Sequence, residues 1–236
     1  MFSFQYGTST IEYTLTRSER KNISISIEPN KNIKVKAPVE LTDDEVMEVV
    51  KKKSRWITAK LFEMREIENR KYHRQYVNGE SFTYMGRNYS LQLVDDITLK
   101  KPEVKLYRGK LYVKTPSRNE DVIHKAIVKW YQEKAKEKIP DRVSYYEKFF
   151  VEKHGRIDIK DQKKRWGSCT KEGDLAFNWK SIIAPANILD YIIVHELCHL
   201  RYMNHSKEFW EMLGRVLPDY ESRKEWLMNN GMKLEV

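Results

Sequence analysis

The chain has 236 residues with 40% hydrophobic and 12% aromatic side chains, which allows one large domain or two small ones and excludes a disordered chain. It lacks any apolar run of about 18 residues, its opening MFSFQYGTST has no signal-peptide pattern, and two cysteines, Cys169 and Cys198, are too few for a disulfide scaffold, so a cytoplasmic protein with no membrane partner is expected. The formal charge of +10 is uneven: residues 1–117 hold 22 Lys+Arg against 15 Asp+Glu, residues 118–236 hold 22 against 19, and a basic N-terminal half suits either a nucleic-acid partner or a solvated surface.

In chain order, residues 22–37 (NISISIEPNKNIKVKA) alternate at Ile23, Ile25, Ile27, Ile33 and Val35 around the turn-forming EPNKN, which predicts a hairpin with one buried face. Thr42 followed by Glu45 makes a capping box, and Val46, Val49, Val50, Trp56 and Ile57 keep helical spacing, so one charged helix is expected over 43–70. A β-rich stretch then runs to about Val113 with turns near Gly86 and Gly109, and KTPSRNED reads as a linker. Beyond it, Val122, Ile123, Ala126, Ile127, Trp130 and Tyr131 form an apolar helical stripe that Pro140 interrupts, with a further helix expected to carry Tyr145, Tyr146, Phe149 and Phe150. RIDIKDQKKRWGSCTKEGDLAFNW reads as two strands joined at KEGD, and Pro185 starts a helix through ANILDYIIV. The order implies an α+β protein, divided into a β-rich accessory region over 1–116 and a second domain over 117–236.

IIVHELCHLRYMNHSKEFW concentrates three of the six histidines, His195, His199 and His205, within eleven residues. On a helix, His195 and His199 are about 40° apart, so both imidazoles leave one side, while Glu196 lies about 100° from His195. This is HExxH, the spacing of two zinc ligands and a general base. An unbroken helix would separate His195 from His205 by roughly 15 Å along its axis, so the chain must turn back for His205 to reach a shared ion. Asn204, tolerant of a left-handed conformation, is the expected place, and Ser206 the expected N-cap of the helix that follows. Three ligands leave a fourth position open, as catalytic zinc requires. Hydrolysis of peptide or other amide bonds follows, with one Zn2+ per chain and Glu196 passing a proton from water to the leaving amine. Arg165, Tyr202 and His154 are the candidates for stabilising the oxyanion. Cys198 reads as a buried, inert thiol.

The block from Arg165 onward, with RWGSC, FNW, AP…LDY…VHELCHL and NHSKEFW, resembles the bacterial YgjP-like metallohydrolases, relatives of the SprT- and Spartan-like zincins. RSERKNISISIEP…VKAP and GESFTYMGRNY extend the resemblance over most of the chain. It implies a zincin-like C-terminal domain, with an active-site helix and a small antiparallel sheet, whose metal is held by His195, His199 and His205 with Glu196 as base. It also implies an edge strand that receives substrate as an added strand, for which DLAFNW is the expected segment. The spacing equals that of the metzincins, but Tyr202 stands where they have glycine, and the chain is not assigned to them. Glu221 or Glu225 would replace His205 as third ligand if that ring could not reach.

Two other readings compete with a peptidase acting on proteins or peptides. Residues 51–74 and 100–114 interleave basic and aromatic side chains, a pattern that binds phosphates and stacks bases. Because SprT-type relatives act on proteins crosslinked to DNA, the resemblance admits a substrate of that kind. A metal-binding scaffold without turnover is the third reading.

Overall fold

In the computed structural model, residues 8, 29, 70–73 and 163–164 and the side chains of 9, 63 and 65–69 are outside the described set. The chain divides into two compact units, Met1–His73 and Arg74–Val236. In the first, β1 (Phe2–Tyr6), β2 (Ser9–Arg17), β3 (Ser24–Ile27) and β4 (Ile33–Ala37) form a sheet in the order β1-β2-β4-β3. The alternation predicted for the hairpin is realised: Ile25 pairs with Val35 and Ile27 with Ile33 in antiparallel register. Its turn residue Pro29 lies outside the described residues.

Two helices, α1 (Asp43–Lys52) and α2 (Ser54–Asn69), occupy the stretch expected to be one helix over 43–70. The capping box at Thr42 and Glu45 forms, and acidic residues fill the first turn of α1. The break falls at Lys53, whose N–H reaches back to Val50 O at 3.0 Å in a tightened turn. There the buried Ser54 hydroxyl donates to the same carbonyl at 3.4 Å and competes with the helical ladder. Val46, Val50 and Ile57 close over Ile11, Tyr13, Ile33, Val35 and Ala37 to make this unit's core. Residue 70 and the end of the basic-aromatic run through 73 are outside the described residues.

In the second unit, β5 (Ser81–Tyr84), β6 (Arg87–Asp95), β7 (Glu103–Tyr107) and β8 (Lys110–Thr115) follow the order β5-β6-β8-β7. Gly86 and Gly109 make the expected turns at φ +74° and +76°. Phe82, Leu91, Leu93, Leu111 and Val113 bury one sheet face in a core shared with α3 (Glu120–Glu147), which Asn119 caps through Val122 N at 3.2 Å. The expected division at 116/117 therefore differs from the observed boundary at 73/74. Residues 116–119 are the short connection from β8 to α3, whose elements share one core, where Tyr131 Oη donates to Thr83 O at 2.7 Å. Pro140 does not interrupt the helix either. α3 runs through it because Ile123, Ile127, Tyr131, Ala135, Ile139 and Val143 form one continuous buried stripe, whose packing outweighs the single hydrogen bond that proline removes.

The remaining strands are β9 (Ile157–Lys160), β10 (Gly167–Cys169) and β11 (Leu175–Asn178), in the order β10-β11-β9. β11 pairs antiparallel with β10 but parallel with β9, so this sheet is mixed rather than antiparallel as expected. A 3-10 turn at Trp179–Ile183 leads to α4 (Ala186–Cys198), then α5 (Lys207–Val216) and α6 (Tyr220–Asn230) complete an α+β unit. α4 is positioned from two sides. The Arg142 guanidinium on α3 grips the buried Asp190 carboxylate through two hydrogen bonds of 2.8 Å. The Met85 and Gly86 N–H groups donate to Ile182 and Ile183 carbonyls at 2.9 and 3.0 Å, just before the helix. Among the described residues, no helix is long and apolar enough to cross a membrane.

Candidate metal centre

The apolar run of ANILDYIIV makes α4 a buried central helix, with Ile188 through Val194 and Leu197 all in the core. Its last turn carries His195 and Glu196, and His199 is its C-cap residue. Tight backbone bonds then close the helix: Leu200 N to Leu197 O, and Arg201 N and Tyr202 N to Cys198 O, at 3.1, 3.2 and 3.0 Å. The chain turns back as required, but not through a left-handed Asn204. Among the described residues, the positive-φ non-glycine residues are Lys31, Tyr76, Met85 and Arg108, so the bend is made in ordinary backbone. Ser206 does occupy the N-cap of α5, with its hydroxyl donating to Glu208 at 2.6 Å instead of accepting from the backbone.

The result is a near-equilateral triangle of imidazoles. Ring centroids of His195, His199 and His205 are 4.9, 4.9 and 4.8 Å apart, and their ligand atoms lie within 4.8 Å of one another. The buried Phe209 ring on α5 lies 5.0, 4.8 and 4.8 Å from the three. Trp210 stacks on His205 at 5.5 Å, Tyr220 on Trp210 at 5.5 Å, and the Lys224 ammonium sits 4.2 Å over Trp210. Neither Glu221 nor Glu225 joins the triad, so no substitute for His205 is required.

The protonation pattern suits a cation. His199 Nδ1 lies 2.9 Å from the Tyr202 carbonyl, which can only accept, so Nδ1 carries the hydrogen and Nε2 is left with its lone pair. Nε2 of His195 and Nε2 of His205 face each other at 3.0 Å. Burial, then the neighbouring imidazoles, pushes His195 down to about 3 and keeps it neutral. His205 is lowered for the same reasons, with Lys224 adding to both. Three imidazoles whose ligand atoms lie within 4.8 Å of one another could hold a divalent metal ion.

Glu196 is 6% exposed, and burial raises its carboxyl to about 8 against the opposing field of Arg165. β10 supplies the space beside it: a Cβ on Gly167 would lie 2.6 Å from Glu196 Cγ and 2.7 Å from Oε1. This corrects the strand assignment. β11, which contains the expected edge segment LAFN, is the central strand because β9 pairs along its other side. The free edge near Glu196 belongs to β10. Of the three oxyanion candidates, Arg165 is the one whose field reaches Glu196. Tyr202 contributes its backbone carbonyl to His199, and His154 is engaged with the Gly155 carbonyl at 2.7 Å and Glu147 at 3.6 Å. Cys198 is fully buried and unpaired as expected. Phe209, Trp210, Tyr220 and Lys224 were not singled out by sequence, since aromatic and basic residues at helical spacing ordinarily signal packing and solvation.

Comparison with known proteins adds three findings. No curated protein matches the chain. Among solved structures, the metallopeptidase zymogen abylysin of Pyrococcus abyssi is similar over 38% of this chain and 91% of its own, at 20% identity and a TM-score of 0.36. The metallopeptidase zymogen jannalysin of Methanocaldococcus jannaschii is similar over 38% and 93%, at 24% identity and a TM-score of 0.35. The family model described as YgjP-like, metallopeptidase domain, matches residues 21–230, which include the imidazole triad, and the chain therefore belongs to the YgjP-like family and is a metal-dependent peptidase.

Proposed function

We propose that the chain is a zinc peptidase in which His195, His199 and His205 hold one Zn2+ and Glu196 is the general base, acting on a protein or peptide substrate. The convergence of the three imidazoles carries this reading. Two nitrogens bound to one tetrahedral zinc at about 2.0–2.1 Å would be about 3.3 Å apart, close to the 3.0 Å between the facing Nε2 atoms. Calcium and magnesium seek oxygen donors, which this triad does not offer. When bound, zinc supplies Lewis acidity, polarising a carbonyl oxygen and making water in the open position more acidic.

The protein's own groups then divide the work. Glu196 accepts a proton from the attacking water on a carboxylate oxygen and delivers it to the departing amine nitrogen. Burial raises the Glu196 carboxyl to about 8, and a cation at the triad would lower it again, favouring the ionised form that can accept a proton. The Tyr202 carbonyl fixes the His199 tautomer. The unpaired edge of β10, beside Glu196, receives an extended substrate segment as an added strand and so brings a peptide bond alongside the base. The test is hydrolysis of diverse protein and peptide substrates by the parent and by Glu196→Gln, each with its zinc content measured. A variant that keeps its metal and loses hydrolysis supports the reading. Retained hydrolysis removes Glu196 from the base role, and a parent that binds zinc but cleaves nothing leaves a metal-binding scaffold.

A further inference from the structure

Alternation along β7 and β8 commits one face to the core and leaves the other in solvent. Val104, Leu106, Leu111 and Val113 point inward, so Lys105 and Tyr107 on β7 share the outer face with Lys110, Tyr112 and Lys114 on β8. The antiparallel register sets Lys105 opposite Tyr112 and Tyr107 opposite Lys110, so ammonium groups and phenol rings alternate both along the strands and across them. The Tyr107 and Tyr112 rings are 6.4 Å apart, and Tyr107 is 48% exposed. Lys105 Nζ and the Arg108 guanidinium flank the Tyr107 ring at 5.5 and 5.2 Å, with Arg108 held at φ +46° in the connecting turn.

Among the described residues, Lys105, Arg108, Lys110 and Lys114 form no salt bridge, and Lys114 acts on Asp96 only through its longer-range field. Glu103, opposite Lys114, is the single carboxylate on these two strands, and the adjoining positions on β6 are the neutral Ser90 and Gln92. A solvated surface explains the lysines. It does not explain an exposed Tyr107 ring beside a half-buried Tyr112 ring between them.

We propose that this outer face of the β7–β8 hairpin binds single-stranded nucleic acid, with Tyr107 and Tyr112 stacking on bases and Lys105, Arg108, Lys110 and Lys114 meeting phosphates. Positive charge supplies the backbone term and aromatic faces the base term that single strands offer together. A duplex keeps its base faces stacked inside, and an anionic membrane has none, so either would engage the cations and leave the rings idle. Residues 110 to 114 extend about 13 Å, which spans two to three nucleotides, roughly, of an extended strand. The inference is independent of the metal centre.

The test uses the full chain and fluorescence anisotropy of a labelled oligothymidine, with a duplex of equal length and phosphatidylserine vesicles as comparisons. Binding that weakens between 50 and 200 mM salt with a log–log slope of about −3, from four phosphate contacts at about 0.7 each, is expected. Tyr107→Ala with Tyr112→Ala should cost about tenfold or more in affinity and leave the slope unchanged, while Tyr107→Trp retains binding. Lys105→Glu with Lys110→Glu should weaken binding and flatten the slope by about 1.4. Thermal melts matching the parent's would assign these losses to the surface itself, and either pair alone decides the matter if the other fails to fold. Absence of binding at low salt, equal affinity of the double-tyrosine variant, or tighter binding of duplex or vesicle would each overturn the proposal.

Discussion

Gly167 has a specific and measurable job. A Cβ at this position would sit 2.6, 2.7 and 2.8 Å from Cγ, Oε1 and Cδ of Glu196, against 3.4 Å or more for an ordinary contact. The overlap of about 0.8 Å has to be relieved by the carboxylate or by the strand. Neither yields easily, because Glu196 is buried on α4 and Gly167 pairs with the buried Phe177 of β11. Gly167→Ala should therefore displace the base by close to an ångström, which at a reacting centre costs about 100-fold in rate. Overpacking should cost about 1–3 kcal/mol, or about 2–4 °C in Tm per kcal/mol for a chain of this length. The three nearest atoms to that Cβ all belong to Glu196 and none to an imidazole, so on the proposed function zinc content should stay at one per chain. Kinetics on a cleaved peptide, metal analysis and a thermal melt on one preparation check all three. A variant with full zinc and kcat within twofold of the parent would refute the reasoning, since it would mean that Glu196 can move without consequence.

His199→Ala should abolish stoichiometric zinc, as metal analysis will report, because two nitrogens remain where three are needed. Chelation should lower the parent's Tm by about 10 °C: a ligand at a thousandfold its Kd contributes about 4 kcal/mol, and a His199→Ala protein should show no such shift. Arg142→Ala should destabilise by about 2–3 kcal/mol in denaturant titration, since it strands the buried Asp190 carboxylate, whereas Asp190→Asn should cost less. Gly86→Ala combines a φ of +74° with a Cβ placed 2.7 Å from Pro185 Cα, and a loss of about 2 kcal/mol or more is expected in the same assay.

What could be read from the sequence was local. The HExxH spacing, the need to turn back before His205, the hairpin at 22–37 and the N-cap at Ser206 follow from helical and strand periods alone, and the structure has each of them. The misreadings share a cause in contacts distant along the chain. DLAFNW looked like an edge because IDIK, eighteen residues upstream, gives no sign that it will pair along the same strand. Pro140 looked like a stop because its local penalty is visible and the stripe packed on both sides of it is not. The division at 116/117 rests on a polar segment, which reads as a linker whether or not the elements it joins share a core. Trp210 reaches the triad, with Tyr220 and Lys224 against its ring, only because α5 and α6 fold back beside it.

Phe209 belongs to two structures at once: it is part of the apolar interior and lies under all three imidazoles. The third histidine therefore has no fixed address until α5 has docked, and docking is driven by the same ring that floors the triad. On the proposed function, ion capture and consolidation of the interior would be one cooperative event, so a half-folded chain would be a poor scavenger of metal and a stripped chain would be loosened where its hydrophobic centre is most crowded.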